Sequence, residues 1–361
     1  MTRQPWHDAA EAVILPVLAL AGAIVLFGVW VWFGGKDPLQ ACALLFMGAF
    51  GDAFSWQNSL QRAAPLMLTA LCVALPARAG LTVIGGEGAL VLGGLACAGL
   101  PYLTPLPGGL LGTGLLLLAA TAAGAVWIAF AGVLRQYRGV NETISSLLLN
   151  YIAIAVFKFL VEGPMRDPAS LNKPSTRPLD PSLQIGGMFG YDVHWGLAFG
   201  VVLCLLSGLW LAMSTHGFAT RIVGGNARAA RLVGLPAHRL IVTACALGGA
   251  SAGLAGGIEI AAVQTSANAS LISGLGYAGI LVSFVARHQP LAIIPVAVLF
   301  GGFGSAGSLL QRRMDLPDAS IQVLLGFAFV LVLASESLRG RLFPLTWLPR
   351  RASPSGVAQA A

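Results

Sequence analysis

Six polar residues fall in or beside stretches that are otherwise apolar: Glu87, Asn141, Glu142, Asn150, Glu259 and Gln264. A carboxylate or amide inside hydrocarbon is costly unless it meets protein, water or a partner, so such residues mark polar contacts between helices or the lining of a polar path. Glu87 sits in Ile84-Gly85-Gly86-Glu87-Gly88, where glycines let another backbone come close. Two readings stay open for it: a path or structural hydrogen-bond residue, or an acid in the first turn of a helix, held by the dipole near the interface. Asn141 can cap the helix that follows, with Glu142 in its first turn. Asn150 lies too deep in the run from Leu147 to Phe159 to be a cap. It bonds a neighbouring helix or lines a path. Glu259 and Gln264, followed by Thr265, Ser266 and Asn268, form either a polar mouth or an ordinary loop.

A second group is basic. Between Ser214 and Arg239 the chain carries Arg221, Arg228, Arg231 and Arg239 and no acid. Its middle is written as a short helix with both ends marked. Asn226 can accept from the free N–H groups that follow it, Ala227 to Val233 favours helix, Gly234 supplies a left-handed stop and Pro236 prevents continuation. Such a helix is about 10 Å long, too short to span a bilayer but long enough to protrude and be gripped. It reads as a docking helix or as an ordinary basic surface loop, since cytoplasmic loops carry excess Lys and Arg.

The elements that hold these residues are membrane spans. Of 361 residues 57% are hydrophobic and only 10% are charged, against about 25% in a soluble domain. Long uncharged runs recur throughout, which defines an all-α polytopic membrane protein. About ten spans are expected, at 12–33, 57–76, 81–100, 108–134, 143–162, 195–213, 238–263, 272–287, 289–310 and 319–339. The third, eighth and ninth are short or rich in Gly and Pro, as broken or re-entrant segments are. Together they make one transmembrane domain over 1–340, followed by a tail over 341–361 that is expected to be disordered. The net charge of +7 reflects basic cytoplasmic loops rather than nucleic-acid binding. Arg78, Arg135, Arg138 and the arginines of 214–239 place both termini inside, while Arg312 and Arg313 fall on the wrong side. The loop 162–194 holds five prolines, Pro164, Pro168, Pro174, Pro178 and Pro181, and reads as a folded cap or a flexible spacer. Two Gly-rich segments, each with one acid (Glu87 and Glu259), hint at an internal repeat of two halves.

What is missing narrows the function. No G-x-x-x-x-G-K-[ST] loop and no H-E-x-x-H pair is present, and the cysteines (Cys42, Cys72, Cys97, Cys204, Cys245) have no metal-ligand spacing. Lys158 is the only lysine within a span. An ion-coupled carrier needs more ionisable groups on its path, so the chain reads as a conduit driven from outside itself.

The loop 217–234, with Gly224, Asn226, Ala229, Ala230 and Gly234 as its core, resembles the coupling loop of permease subunits of bacterial ABC importers of the ribose, galactose and branched-chain amino acid type. Ile84, Gly85, Glu87 and Gly88, the run from Gly139 through Asn150 and Tyr151, and the stretch 274–304 are similar to its nucleoside or simple-sugar branch, over about residues 60–340. Val83 and Ala89 stand where that branch commonly has Asn and Gln. The resemblance implies a dimer, with itself or a sister permease, in the bacterial inner membrane. A cytoplasmic ABC ATPase that holds the ATP and Mg²⁺ would dock through Arg221, Gly224, Asn226, Ala229, Ala230, Arg231 and Gly234. A periplasmic or lipoprotein solute-binding protein would deliver a small polar solute, a nucleoside or purine-like compound first and a simple sugar second. No cofactor, metal or catalytic residue is expected in this chain. Gly85, Glu87, Gly88, Asn141, Glu142, Asn150, Glu259 and Gln264 would line the path or join helices. The competing readings are an ion-coupled secondary carrier and an intramembrane enzyme, the latter lacking a nucleophile–base spacing.

Overall fold

The computed structural model describes residues 5–338 apart from 189 and 318. The helices are α1 (Pro5–Phe33), α2 (Pro38–Phe50), α3 (Ala53–Arg78), α4 (Gly86–Leu103), α5 (Leu110–Arg138), α6 (Glu142–Glu162), α7 (Gly196–Met213), α8 (Thr215–Gly225), α9 (Ala227–Leu232), α10 (Ala237–Ile258), α11 (Leu275–Val285), α12 (Pro290–Met314) and α13 (Ser320–Leu338). Among the described residues eight helical stretches are long and apolar enough to cross a membrane, and 38–50, 269–285 and 320–336 are shorter apolar helices. Pairing of β type is limited there to two isolated bridges, Ser175 with Asn268 and Gly187 with His194.

α10 lies at the centre, against α3, α4 and α5. Its glycines allow this. A methyl on Gly253 would collide with the Ala120 carbonyl and Gly124 of α5, and one on Gly93 of α4 would collide with Gly253. Without a hydrophobic force between helices in lipid, such backbone-to-backbone approach is what gives dispersion its grip. α3 packs on α12 as α10 packs on α5, on α11 as α10 packs on α4, and α11 packs on α13 as α4 packs on α6. Arg78 at the end of α3 meets His288, just before α12, so these helices are antiparallel; the glycine contacts of α5 and α10 run antiparallel too. The chain therefore repeats one pattern twice in opposite senses. This corrects the pairing of the two Gly-rich segments as repeat equivalents. Gly94 of α4 touches Gly256 of α10 across an interface, and the counterpart of α4 is α11.

Several other expectations change. Residues 38–50, which fall in none of the expected spans, are helical: Asp37 caps them by accepting from the Leu39 N–H, Pro38 opens the helix, and α2 packs along α12. The third span does not start as helix at 81: residues 81–84 are outside any helix and α4 begins at Gly86. The eighth is helical only from Leu275. The basic segment holds two helices rather than one, because Ser214 caps α8 by accepting from the Gly217 N–H at 2.9 Å. The loop 162–194 is docked. Thr176, Leu179 and Ile185 donate their N–H groups to Ala267, Thr265 and Ala261, and Leu179, Leu183 and Val193 are buried. α12 runs away from Arg78, so Arg312 and Arg313 do end on the face opposite the basic turn. The expected tail, 341–361, lies outside the described residues.

Candidate functional site

Two broken helices meet inside the bundle, and Glu87 joins them. Its Oε1 accepts from the Gly274 N–H at 2.8 Å and its Oε2 from the Gly276 N–H at 2.5 Å. The carboxylate thus sits in the first turn of α4 and at the free N–H groups opening α11, where both helix dipoles favour a negative charge. Glu87 is thus both a structural hydrogen-bond residue and an acid in the first turn of α4, and it is fully buried. Gly274 takes a left-handed φ of +80°, and a side chain on Gly276 would overlap the Glu87 backbone. Gly85 presses against the Ser146 carbonyl and Gly88 against Asn150, so both serve close approach of α6.

α6 holds the 81–85 stretch in place. Ser146 Oγ accepts from the Ile84 N–H at 3.1 Å, and Thr143 Oγ1 donates to the Thr82 carbonyl at 2.9 Å. Asn141 caps α6 through the N–H groups of Thr143 and Ile144, and Glu142 pairs with Arg135 at 3.2 Å. Asn150 is fully buried and its Nδ2 lies 2.5 Å from the Tyr277 hydroxyl, a contact between α6 and α11. Sequence reasoning missed Thr143, Ser146 and Tyr277. Hydroxyls in a helix give no periodic signal, and Tyr277 acquires its partner only through the meeting of two half-chains.

Glu259 and Gln264 open and close a π-helical stretch, Glu259–Gln264, at the end of α10. Gln264 Nε2 donates to Glu259 Oε1 at 3.5 Å. The docked 162–194 loop bonds to Ala261, Thr265 and Ala267 at this end, and the Glu259 and Gln264 side chains stay partly exposed beside it.

The basic turn is the second region. Asn226 Oδ1 accepts from the N–H groups of Arg228 and Ala229 at 3.0 Å each, and starts α9. Gly234, at φ +83°, ends it: Leu235 donates to the Ala230 carbonyl and Gly234 to that of Arg231. This is the paired closing motif that a glycine permits. Ala230 is buried, and Gly224 packs on the Arg78 carbonyl and Gly80. Those two of the seven candidate coupling residues face the bundle. Arg221, Asn226, Ala229, Arg231 and Gly234 face outward, beside Leu232 at 88% and Val233 at 72% exposure. The same corner links onward. Arg78 Nε donates to the His288 carbonyl at 3.0 Å, and Arg287 pairs with Glu336 of α13 at 3.4 Å. His288, in the turn between α11 and α12, is held down at about 4 by burial and by the Arg78 charge.

Gly249-Ala250-Ser251-Ala252-Gly253 spells the G-x-S-x-G of a hydrolase nucleophile. In the fold Ser251 lies mid-α10, buried, with its Oγ bonded to the Gly248 carbonyl at 2.7 Å. It lacks the strand-to-helix turn that makes such a serine reactive. Among the described residues no group of three or more His, Cys, Asp or Glu could hold a metal.

An all-helical bundle with long apolar helices, two broken helices that meet inside it and an exposed basic turn fits a polytopic membrane protein. The family of branched-chain amino acid transport system permease components matches residues 55–333, and the chain belongs to that family. It is 32% identical to a glucose ABC transporter permease of Haloferax volcanii, over 89% of this chain and 87% of that one. It is 26% identical to a guanosine ABC transporter permease of Bacillus subtilis, over 90% and 94%, and 25% identical to a nucleoside ABC transporter permease of Lactococcus lactis, over 81% and 83%. The chain is thus an ABC permease subunit, and membership implies an ATPase and a solute-binding protein as partners.

Proposed function

We propose that the chain forms the conduit of an ABC importer for a nucleoside or purine-like compound, with a simple sugar as the second reading. Guanosine and nucleoside permeases among its relatives support the first, and the glucose permease supports the second. The basic α8–α9 corner then faces the cytoplasm and both termini lie inside a bacterial inner membrane. A cytoplasmic ATPase, carrying ATP and Mg²⁺, grips α9. A periplasmic or lipoprotein binding protein meets the opposite face, and a second permease, identical or homologous, completes the path.

One observation carries this reading. A fully capped six-residue helix carries Arg228 and Arg231 and leaves Leu232 and Val233 bare at its C-terminal end. Apolar side chains held out on a rigid, charged support suit a groove on a partner. Closure of an ATPase pair drives transport only if α9 is held differently in the two states. Gly224 against Arg78 and Gly80 offers the route by which its movement reaches 81–85 and the Glu87 junction.

Capture of the tagged protein from its native membrane in mild detergent tests this. A co-purifying P-loop ATPase, lost on Leu232→Asp, is the expected result. Isolation of the chain alone, with no ATPase binding through 226–234, would overturn the coupling role. Transport in ATPase-free vesicles that follows an ion gradient would favour a secondary carrier.

A further inference from the structure

The bared side of α6 is mostly apolar, with Ile144, Leu148, Ile152, Val156 and Phe159 exposed, Lys158 exposed toward its C-terminal end, and a polar-tipped ring at mid-helix. Tyr151 is 60% exposed there. It stands nine residues along α6 from Glu142, which is about 14 Å along the axis and inside a hydrocarbon layer of about 30 Å. Tyr277 of α11 is 39% exposed, and its hydroxyl reaches Asn150 at 2.5 Å, so it lies at the same depth. Tyrosines that face lipid gather at the headgroup level, where the hydroxyl finds water. A pair of exposed phenols halfway through the layer is out of place against acyl chains. It fits a water-filled path.

We infer that Tyr151 and Tyr277 form the solute contact of the path, with the tyrosine rings receiving a flat heterocyclic base and the Tyr277 hydroxyl, fixed by Asn150, bonding its edge. This rests on the permease reading above and adds to it the residues and the chemistry of recognition. Stacking needs a broad π face and tolerates different bases. A hydroxyl with one bond already spent on a buried amide has its position fixed and a remaining valence to offer. Glu87 lies behind, with both oxygens engaged by Gly274 and Gly276, and supplies the rigid floor on which Tyr277 is mounted. Asn150 is a positioning residue, being fully buried itself.

The test labels single cysteines with a charged, membrane-impermeant methanethiosulfonate reagent, in the complex with its ATPase in native membranes. Tyr151→Cys and Tyr277→Cys are compared with Val126→Cys on α5, a 70% exposed residue at similar depth. Wild type gives the background, all its cysteines but Cys42 being buried. Hydrocarbon excludes the charged reagent, so the two tyrosine positions should label about tenfold faster than Val126→Cys. Guanosine should slow labelling at both. Equal rates at all three positions would overturn the path. Fast labelling that guanosine leaves unchanged, in a complex whose wild type takes up guanosine, would overturn the solute contact alone. Guanosine uptake in Tyr151→Leu should show KM raised about tenfold with Tyr151→Phe near wild type, the stacking ring being retained. In Tyr277→Phe KM should rise about fivefold through the lost hydroxyl bond. Wild type that transports glucose but no nucleoside would fail the base-recognition reading while the labelling contrast still decides the path.

Discussion

At the scale of single residues, Glu87 is the contact on which the fold depends most directly. Its two oxygens close the open N–H groups of a helix from the other half of the chain. Glu87→Gln keeps the shape but turns a donor toward one of those N–H groups. Leaving a buried N–H unpaired costs about 1–3 kcal/mol. The purified variant should melt at a lower temperature than wild type, and a coincident melting curve would show that the second acceptor oxygen is dispensable. His288 gives a pH signature. Its pKa falls from an ordinary 6.5 to about 4 in the fold, so the unfolded chain takes up a proton first as pH drops. Stability from this group is complete above pH 6.5 and is lost progressively between 6.5 and 4. Burial lowers the pKa of His194 at the end of the docked loop as well, with the same sign. Melting temperatures should therefore fall from pH 7.5 to pH 5, about, and His288→Gln should flatten that slope. An unaltered slope would place the acid sensitivity elsewhere. Depth alone left Asn150 between a helix contact and a path position, and its bond to Tyr277 is seen only in the fold; Tyr277 gave no signal, because a tyrosine near a predicted span end looks like an ordinary interface anchor.

At the scale of elements, the sequence wrote α9 almost completely. Asn226 at its start and Gly234 at its end are local devices, each acting within a few residues on its own backbone. Asn226→Ala removes a cap worth about 1 kcal/mol, and Gly234→Pro forbids the left-handed φ. Both should insert normally and lose ATP-driven uptake, with ATPase activity surviving but uncoupled; full uptake in both would remove α9 from the coupling route. α2 escaped notice because thirteen residues are too few to register as a span, although Asp37 and Pro38 mark its start plainly. α4 and α11 were placed only approximately. Their first residues are set by the Glu87 junction, a contact across the chain that no local pattern encodes.

At the scale of the whole molecule, α10 is the axis around which two oppositely directed halves close. Gly253 meets Gly93 on one side and Gly124 on the other, backbone to backbone. Gly253→Val cannot be absorbed by a flexible side chain, since the atoms it meets are main chain. Misassembly is expected, read as loss of a monodisperse peak on size exclusion in detergent; a variant that elutes and melts as wild type would show that the helices can part at this crossing. The concentration of Arg78, Arg135, Arg138, Arg221, Arg228, Arg231 and Arg287 near one end of the helices follows from the same closure.

The sequence by itself determined that this is an all-helical membrane protein, that it carries a short basic helix capped at both ends, and that this chain holds no G-x-x-x-x-G-K-[ST] loop. Hydrophobic run length, caps and charge bias are local quantities, and one chain displays them directly. Only the tertiary structure decided which glycine-rich segments face each other, what Glu87 holds, that the proline-rich loop is docked, and that Tyr277 of α11 meets Asn150 of α6 beside the exposed Tyr151. In lipid these depend on close backbone approach and on hydrogen bonds between residues as far apart as Glu87 and Gly276. Composition says that such approach is possible; the three-dimensional meeting of the two halves selects where it occurs.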